Sequence, residues 1–208
     1  MEELKREIEQ LKKDKNAVLM AHYYVDDDVQ EIADYVGDSY YLAKMALKES
    51  KDVICFAGVK FMGESAKILN PERTVVMPDA NADCAMAHMV DIRKIQEIRD
   101  QYEDLAVVCY INSTAEIKAY SDVCVTSANA LKVVQALPQK NIFFIPDENL
   151  GRYIGSQLPE KNFIYNDGYC PTHKEITAQK VAKAKEMHPQ AEVVVHPECT
   201  PDVTAIGD

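Results

Sequence analysis

Three pairs of polar side chains each follow a short apolar run, at nearly constant spacing along the chain. The pairs are His22 with Tyr24, Tyr110 with Asn112, and His196 with Glu198. His22 and Tyr110 are 88 residues apart, and Tyr110 and His196 are 86 residues apart. Histidine titrates near neutral pH, so it can act as an acid, a base or a carboxylate anchor, and tyrosine and glutamate can also transfer protons. The pattern predicts three copies of one unit that deliver polar groups to a shared ligand site.

Two serines recur with the same spacing. Ser39 and Ser127 are 88 residues apart, and each lies near the predicted start of a helix. A hydroxyl at that place can cap the helix, or it can bind the oxygens of a carboxylate or a phosphate. Both interpretations stay open from the sequence.

Two cysteines could be metal ligands. Cys84 and Cys170 are 86 residues apart, and each follows a segment rich in turn-forming residues. With a third cysteine from a third unit, three thiolates could hold a 4Fe–4S cluster by three corners and leave one iron open to polarise a substrate. The alternative is that both are partly buried thiols without a ligand, since free cysteine is among the most buried residue types.

The other cysteines are expected to have no direct part in the chemistry. Cys55, Cys109 and Cys124 lie in apolar runs that predict strands, which favours packing in the core. Cys199 directly follows the third polar pair, so we expect it beside the site rather than as a ligand.

The remaining histidines fall into two groups. His173 is three residues from Cys170, which favours a role near the site. His88 and His188 lie at predicted helical faces or ends, where we expect solvated side chains.

These residues must be positioned by alternating strands and helices, the rhythm of a parallel α/β sheet. Apolar periodicity predicts helices over 2–15, 29–36, 40–48, 64–69, 92–102, 129–137 and 174–187. Short apolar runs predict strands over 17–20, 52–57, 74–77, 105–110, 123–126, 141–145 and 193–195. The predicted fold class is α/β, with repeated three-layer α/β/α domains and small parallel sheets in a pseudo-threefold arrangement. We expect repeats over 1–86 and 87–172, and an incomplete third repeat over 173–208.

Composition limits the class of protein. The 208 residues are 47% hydrophobic and 27% charged, with a net charge of −11 that disfavours a general nucleic-acid binder. No apolar run approaches the ~18 residues of a membrane span, so no membrane partner is expected. The charged amino terminus is unlike a secretory signal, and we expect a cytoplasmic protein whose cysteines stay reduced.

Several long motifs resemble those of the quinolinate synthases, and the resemblance runs along essentially the whole chain. The motifs are Ala21-His22-Tyr23-Tyr24, residues 29–34 and 37–39, residues 56–66, Pro146-Asp147 with Leu150-Gly151, and His196-Pro197-Glu198-Cys199. The resemblance implies three similar α/β/α domains around a 4Fe–4S cluster that takes one cysteine from each domain. It also implies a transferase that condenses iminoaspartate with dihydroxyacetone phosphate to quinolinate, the precursor of the pyridine ring of NAD.

The resemblance also implies roles for individual residues. The cluster ligands are Cys84 and Cys170, with the third cysteine expected beyond residue 208. Substrate carboxylate or phosphate is held by His22, Ser39, Tyr110, Asn112, Ser127 and His196. The catalytic residues are Tyr24 and Glu198, which transfer protons, and His173 beside them.

The reaction implied by the resemblance loses phosphate and water and tautomerises, so it needs acid–base groups and a Lewis acid. An aspartate-oxidising enzyme is expected to supply the unstable imine. Two mild departures from the family pattern are Asp83 before Cys84 and the lack of a tryptophan before Gly168. Because the third ligand is expected beyond residue 208, we expect residues 1–208 alone to be weakly active or inactive.

Three other functions were weighed against this one. An iron–sulfur electron carrier would have closely spaced cysteines such as C-x-x-C, which this sequence lacks. A pair of domains that binds dicarboxylates or phosphates without catalysis is the main alternative. A zinc hydrolase is disfavoured because the sequence contains no tight ligand spacing.

Overall fold

Two separate four-stranded parallel sheets form the framework of the protein in the computed structural model, which describes residues 2–208. The chain divides into two compact units with the boundary between Cys84 and Ala85, and each unit contains one sheet. This confirms the predicted fold class of repeated α/β/α units with small parallel sheets. The predicted repeat boundaries at residues 86 and 172 stay predictions.

The first unit alternates helices and strands, and it contains one strand, Tyr35–Gly37, between the two helices that were predicted to follow the first strand. Its elements are α1 (Glu2–Asp14), β1 (Ala17–His22), α2 (Asp27–Glu31), β2 (Tyr35–Gly37), α3 (Ser39–Lys48), β3 (Val53–Ala57), α4 (Lys60–Leu69) and β4 (Thr74–Val76). The strand order in the sheet is β2-β1-β3-β4.

The second unit opens with a 3₁₀ turn over Ala85–His88 and then repeats the alternation. Its further elements are α5 (Ile92–Gln101), β5 (Leu105–Tyr110), α6 (Ala115–Ala119), β6 (Val123–Val125), α7 (Ala130–Ala136), β7 (Asn141–Ile145), α8 (Glu148–Ser156), β8 (Asn162–Tyr165), α9 (Pro171–Lys174), α10 (Ala178–Met187) and α11 (Pro201–Thr204). The strand order β6-β5-β7-β8 is the same permutation as in the first unit.

The two sheets share their register as well as their order. Ala17 pairs with Val53 across β1 and β3, and Leu105 pairs with Asn141 across β5 and β7. Both members of the second pair lie 88 residues after those of the first. The edge strands agree too, since all paired positions of β1 and β2 recur 88 residues later in β5 and β6. The spacing found in the sequence is therefore the period of the fold.

A repeated aspartate fastens each edge strand to its neighbour. Asp34 accepts a hydrogen bond from the Leu19 amide at 2.8 Å, while its own amide donates to the Leu19 carbonyl at 2.8 Å. Asp122 makes the same two bonds with Val107, at 2.7 and 3.0 Å. Each aspartate directly precedes a three-residue edge strand. Such a strand is too short to hold its register by pairing alone.

The central strands are apolar because both faces of a parallel sheet are covered. Every residue of β5 is buried, and β1 is buried from its second residue onward. In the second unit one core cluster consists of Ile95, Leu105, Val107, Cys109, Ile117, Phe143 and Ile145. The polar side chains are therefore confined to the strand ends, where the site residues begin.

The strand order places a ligand crevice in each sheet. In open parallel sheets, ligands bind outside the carboxyl ends of the strands where the strand order changes direction. That point lies between β1 and β3 in the first unit, and between β5 and β7 in the second. The carboxyl ends there are His22 and Ala57 in the first unit, and Tyr110 and Ile145 in the second.

Several element predictions were wrong in detail. The helix predicted over 29–36 is α2 at Asp27–Glu31, because Asp34 binds β1 and the next residues join the sheet as β2. The helix predicted over 174–187 corresponds to α10, which begins later, at Ala178, because Thr177 caps it with a hydrogen bond from the Lys180 amide. The sequence patterns did not predict α6, α8, β8 or α11.

The strand predicted over 193–195 is not formed by those residues. A strand needs a neighbour for its backbone groups, and no described strand pairs with this segment. Val193 instead exchanges hydrogen bonds with Asp208, at 2.9 Å from its amide and 3.0 Å to its carbonyl. Val194 is 92% exposed, so its apolar character does not indicate burial. Among the described residues, no helix has the length and apolar character needed to cross a membrane.

Candidate functional site

A buried tyrosine–carboxylate contact lies at the carboxyl end of β5. Tyr110 is the last residue of the strand, and its phenol donates a hydrogen bond to Oε1 of Glu198. Burial, followed by the negative charge of Glu198, raises the pKa of Tyr110 well above its ordinary value. The phenol therefore stays protonated and acts as a donor.

Glu198 receives a second partner from another element. Nδ1 of His173 lies 3.0 Å from Oε2 of Glu198, whose side chain is 4% exposed. Burial would raise the pKa of Glu198, but its neighbours His173 and Tyr110 hold it below its ordinary value. The result is a buried, ionised carboxylate that accepts a hydrogen bond from Tyr110 on one oxygen and has the His173 imidazole beside the other. The Nδ2 group of Asn149 also donates to the Glu198 backbone carbonyl at 3.2 Å, which holds the segment in place.

His173 connects this carboxylate to a thiol. The neighbouring Cys170 thiol, and then the Glu198 carboxylate, raise the pKa of His173 to about 10, so the imidazole is protonated at neutral pH. Its ring stacks on that of His196, with 4.7 Å between centroids and 15° between planes. The ligand atoms of Cys170, His173 and Glu198 lie within 4.8 Å of one another and could hold a metal ion.

The sequence analysis found no tight ligand spacing along the chain, and this compact group is formed in the fold instead. The Cys170 to His173 spacing was visible in the sequence, but Glu198 is distant along the chain, so only the fold brings the three together. The set mixes one soft thiolate with imidazole and carboxylate, a combination that zinc accepts.

His22, at the end of β1, and His196 share one local geometry. The amide of Tyr24 donates to Nδ1 of His22 at 3.2 Å, and the amide of Glu198 donates to Nδ1 of His196 at 3.3 Å. An Nδ1 that accepts a backbone hydrogen bond carries no proton, which assigns the neutral ring its proton on Nε2. Burial lowers the pKa of both histidines against the opposing charges of Asp38 and Glu198. Each ring is thus a neutral donor through Nε2–H.

In the first unit, three aromatic rings meet at the end of β1. The ring centroid of His22 lies 4.6 Å from those of both Tyr23 and Tyr24, and the two tyrosine rings are 4.9 Å apart. His22 is 6% exposed while Tyr24 is 80% exposed. Tyr24 therefore presents its phenol outward from a buried histidine.

The capping interpretation of both serines was wrong. Asp38 is the cap of α3 and accepts from the Tyr41 amide at 2.7 Å, which leaves Ser39 as the first helical residue. Helix α7 begins at Ala130 and its cap residue is Asn129, so Ser127 lies two residues before the cap position. The Ser127 hydroxyl instead lies near the phenol of Tyr110 and lowers the pKa of that phenol, against the larger effect of burial.

Asn112 is half-buried in the turn that follows β5, two residues after Tyr110. The structure of the second unit thus brings Tyr110, Ser127, Cys170, His173, His196 and Glu198 into one network of contacts. Among residues 2–208, the contacts named for this network do not include Asn112.

The two candidate ligand cysteines are half-buried thiols at loop positions. The amide of Cys84 donates to the carboxylate of Asp83 at 2.8 Å. Cys170 directly precedes α9, and its amide donates to Oδ2 of Asp147 at 3.0 Å. Both thiols are partly accessible, and a hydrogen bond from the backbone amide fixes each cysteine. These properties fit cluster ligation, since thiolates are the usual ligands of iron–sulfur clusters.

Asp147 is a site residue that the sequence reading did not single out. It lies just beyond β7 and is fully buried, and Oδ1 accepts from the Leu150 amide at 2.6 Å as the cap of α8. Burial raises its pKa to about 7 despite the hydrogen bonds from Leu150 and Cys170. An aspartate directly before a helix is a capping signal, but its second bond, to Cys170, depends on the fold.

The positions of the remaining cysteines partly differ from expectation. Cys109 is buried in β5 as predicted, and Cys55 is half-buried. The prediction of a core position for Cys124 was wrong, because it lies on the edge strand β6 and is exposed. Cys199 is 3% exposed next to Glu198.

The other histidine predictions were confirmed as far as burial goes. His88 and His188 are both exposed.

Comparison with known proteins gives the chain a family. Residues 6–208 match the family described as "Quinolinate synthetase A protein". The quinolinate synthase of Fusobacterium nucleatum is 57% identical over 99% of this chain and 69% of its own length. Those of Clostridioides difficile and Caldicellulosiruptor saccharolyticus are 51% and 49% identical, over 99% and 100% of this chain and 68% and 69% of their own lengths. At this identity and coverage, the chain belongs to the quinolinate synthase family.

Proposed function

We propose that this chain acts in NAD biosynthesis as a quinolinate synthase, a transferase that condenses iminoaspartate with dihydroxyacetone phosphate. The observation that carries the proposal is the buried network of Tyr110, Glu198, His173 and Cys170 at the carboxyl end of β5. A buried, ionised carboxylate with two neighbouring partners lies at the place where parallel sheets bind ligands, and it is adjacent to a thiol suited to metal ligation. Membership of the family supports the same function.

The proposed reaction joins one four-carbon and one three-carbon substrate and releases phosphate and two molecules of water. Both substrates are anions through carboxylate or phosphate groups. The neutral Nε2–H groups of His22 and His196 are suited to donate to such oxygens without the desolvation penalty of a buried cation. We assign substrate binding to these two histidines together with Ser39, Ser127, Tyr110 and Asn112.

The proton transfers are assigned to groups whose pKa values are driven apart. Glu198 is held ionised and can accept a proton, whereas His173 is held protonated and can supply one. Across their contact of 3.0 Å, the proton accepted by Glu198 would pass to His173 and restore both groups between steps. Tyr24 is exposed on the first unit and would be a further side chain that exchanges protons with a substrate.

The cofactor of the proposal is a 4Fe–4S cluster held by Cys84, Cys170 and a third cysteine beyond residue 208. When bound, its open iron would supply the Lewis acid for dehydration. The hydrogen bond between Asp147 and the Cys170 amide would keep one ligand in place for it. With two of the three thiolates inside residues 1–208, we propose weak activity for these residues alone.

The proposal leaves the supply of the imine to a second protein. Iminoaspartate hydrolyses readily in water, so an aspartate-oxidising enzyme is proposed as the functional partner. The pair would work without a membrane or nucleic-acid component.

The first test is an anaerobic reconstitution. The 208-residue chain, and the same chain joined to the last third of the Fusobacterium nucleatum relative, are purified without oxygen and supplied with iron and sulfide. We expect about four iron and four sulfide per joined chain, together with quinolinate formation from freshly generated iminoaspartate. Cys170→Ser should remove the cluster absorption, while Cys124→Ser, in a thiol assigned no part in ligation, should keep it.

Two outcomes would contradict the proposal. A joined chain with a full cluster that forms no quinolinate, yet binds malate in calorimetry, would favour a dicarboxylate-binding protein without catalysis. Retention of the cluster by Cys170→Ser would instead refute the ligand assignment.

A further inference from the structure

Two cysteines outside the proposed site face each other on neighbouring strands. Cys109 of β5 and Cys124 of β6 are directly paired positions of the parallel sheet. Neighbouring strands lie ~4.8 Å apart and paired residues point to the same face. That separation falls within the ~4.4–6.8 Å between Cα atoms that a disulfide can bridge. The backbone therefore places the two thiols on one face within bonding reach.

The side chains have opposite environments. Cys109 is fully buried, and its thiol donates to the backbone carbonyl of Tyr110 at 3.3 Å, while Cys124 is exposed on the edge strand. The neighbouring Cys109 thiol, opposed by burial and helped by the charge of Lys118, lowers the pKa of Cys124 to about 7. The neighbouring Cys124 thiol, together with burial, raises the pKa of Cys109 well above its ordinary value. The accessible thiolate of Cys124 thus has the protonated thiol of Cys109 as its neighbour on the next strand.

The repeat supplies an internal comparison for this pair. The equivalent positions of the first unit, 88 residues earlier, are Ala21 of β1 and Val36 of β2, and they are paired in the same register. Ala21 is fully buried and Val36 is 38% exposed, so the environments correspond as well. The fold therefore needs no thiol at either position, and packing alone does not account for a cysteine at both.

We propose that Cys109 and Cys124 form a reactive dithiol site that a peroxide converts to a cross-strand disulfide. The Cys124 thiolate attacks one oxygen of hydrogen peroxide, which forms a sulfenic acid and releases hydroxide. The Cys109 sulfur then attacks the Cys124 sulfur and forms the S–S bond. The hydroxyl group of the sulfenic acid leaves with the proton of Cys109 as water. Two thiols are oxidised by two electrons and one peroxide is reduced.

The sheet makes this disulfide reversible. Directly paired strand residues hold their Cβ atoms at about the strand spacing, somewhat beyond the ~3.8 Å typical of disulfides. Strained and accessible disulfides are the more easily reduced ones, so cellular dithiols should reopen the bond. The bond would join β5 to β6 one residue before Tyr110 and three residues before Ser127. This inference concerns thiol chemistry alone and does not depend on quinolinate formation.

The test is a peptide map of the full 208-residue chain. The reduced, metal-free chain is treated at pH 7 with one equivalent of hydrogen peroxide, the remaining thiols are alkylated, and the digest is analysed by mass spectrometry. We expect the Cys109–Cys124 cross-linked peptide in most molecules and its disappearance after dithiothreitol. Cys109→Ala should instead accumulate a sulfenic acid on Cys124 that dimedone traps.

The variants copy residues that the chain already uses at these positions. Cys109→Ala and Cys124→Val reproduce the Ala21 and Val36 pair of the first unit, so the fold should tolerate them. Cys55→Ser is the matched control, since Cys55 is a strand cysteine whose paired neighbours are Leu19 and Val76. It should leave the cross-link unchanged.

A second measurement uses the wild-type chain and does not depend on any variant folding. Alkylation of Cys124 by iodoacetamide, followed from pH 5 to pH 9, should show half-maximal rate near pH 7. The proposal is overturned if peroxide leaves Cys124 as a thiol, oxidises it without cross-linking, or links it to a cysteine other than Cys109.

Discussion

Glu198 is a buried charge whose two oxygens each depend on one neighbour. Oε1 accepts from the phenol of Tyr110, and Oε2 lies 3.0 Å from the imidazole of His173. A buried carboxylate that loses a donor keeps its desolvation penalty without the compensation. The network should therefore respond to the loss of a single oxygen atom.

Tyr110→Phe removes that oxygen and keeps the ring. We expect a loss of about 1–3 kcal/mol in the free energy of unfolding, because a hydrogen bond to a charged group is removed from a buried site. Urea unfolding of the chain measures it. Tyr153→Phe is the control in the same unit, where the side chain is 43% exposed and a change within ~0.5 kcal/mol is expected. An equal effect of the two substitutions would contradict the assigned role of the phenol.

His22 allows a test of the neutral tautomer. Burial holds its pKa below the ordinary 6.5, so between those two values the folded chain binds fewer protons than the unfolded chain. The stability contributed by the neutral ring is present above pH 6.5 and is lost as the pH falls. His22→Asn keeps an oxygen that can accept the Tyr24 amide at the place of Nδ1 but does not titrate.

Urea unfolding at pH 8 and pH 5 is the measurement for His22→Asn. The decrease in stability between the two pH values should be smaller in this variant than in the wild type. His22→Ala also loses the acceptor for the Tyr24 amide, so its stability should be lower at both pH values. An unchanged pH dependence in His22→Asn would mean that the pKa of His22 does not differ between the folded and the unfolded chain.

Sequence reasoning located most site residues because their types recur at one period. His22, Tyr110 and His196 could be found in this way, since a polar position that follows an apolar run three times at nearly one spacing has no simple packing explanation. No site role was predicted for Asp147, although it belongs to a motif of the resemblance, because the helix α8 that it caps was not predicted. Its burial and its bond to Cys170 arise from residues that are brought together only by folding.

At the scale of elements, Asp147 holds two segments with one carboxylate. It begins α8 through the Leu150 amide and fixes the loop before α9 through the Cys170 amide. Both amide donors would be left without their acceptor in Asp147→Ala. A single helix cap contributes about 0.5–2 kcal/mol, and a buried unsatisfied donor adds about 1–3 kcal/mol.

Asp147→Ala should therefore destabilise more than the removal of an ordinary cap. Asp91→Ala is the matched control, because Asp91 caps α5 at an exposed position through the Arg93 amide. We expect about 0.5–2 kcal/mol for Asp91→Ala and a larger loss for Asp147→Ala in urea unfolding. Faster alkylation of Cys170 should accompany Asp147→Ala alone. Equal losses and equal Cys170 reactivity would show that the second bond contributes nothing.

Elements were predictable where a long apolar run or a full helical period was present. The central strands β1, β3, β5 and β7 were found for this reason. The edge strand β2 has only three residues and follows a helix, so its pattern merged with the helix. The segment 193–195 has the composition of a strand but no neighbour to pair with, a property that local sequence does not carry.

At the scale of the whole molecule, the repeat makes equivalent positions comparable. Ile54 of β3 and Ile142 of β7 are 88 residues apart, are both fully buried, and have paired neighbours at equivalent positions. The period of 88 residues was predictable from the polar residues alone. That strand order and register would repeat with it could be concluded only from the structure.

Ile54→Val and Ile142→Val test whether shared register brings shared energetics. Each substitution removes one buried methylene from a central strand, which typically costs about 0.5–1.5 kcal/mol. The lost volume and the backbone setting are the same in both sheets, so the two losses should agree within ~0.5 kcal/mol. Hydrogen exchange of amides in the substituted sheet measures each loss locally. Leu47→Ala on α3, where the side chain is 54% exposed, should change little. Losses that differ by more than 1 kcal/mol would mean that the helices packed on each sheet, rather than the repeated strands, determine the energy of the core.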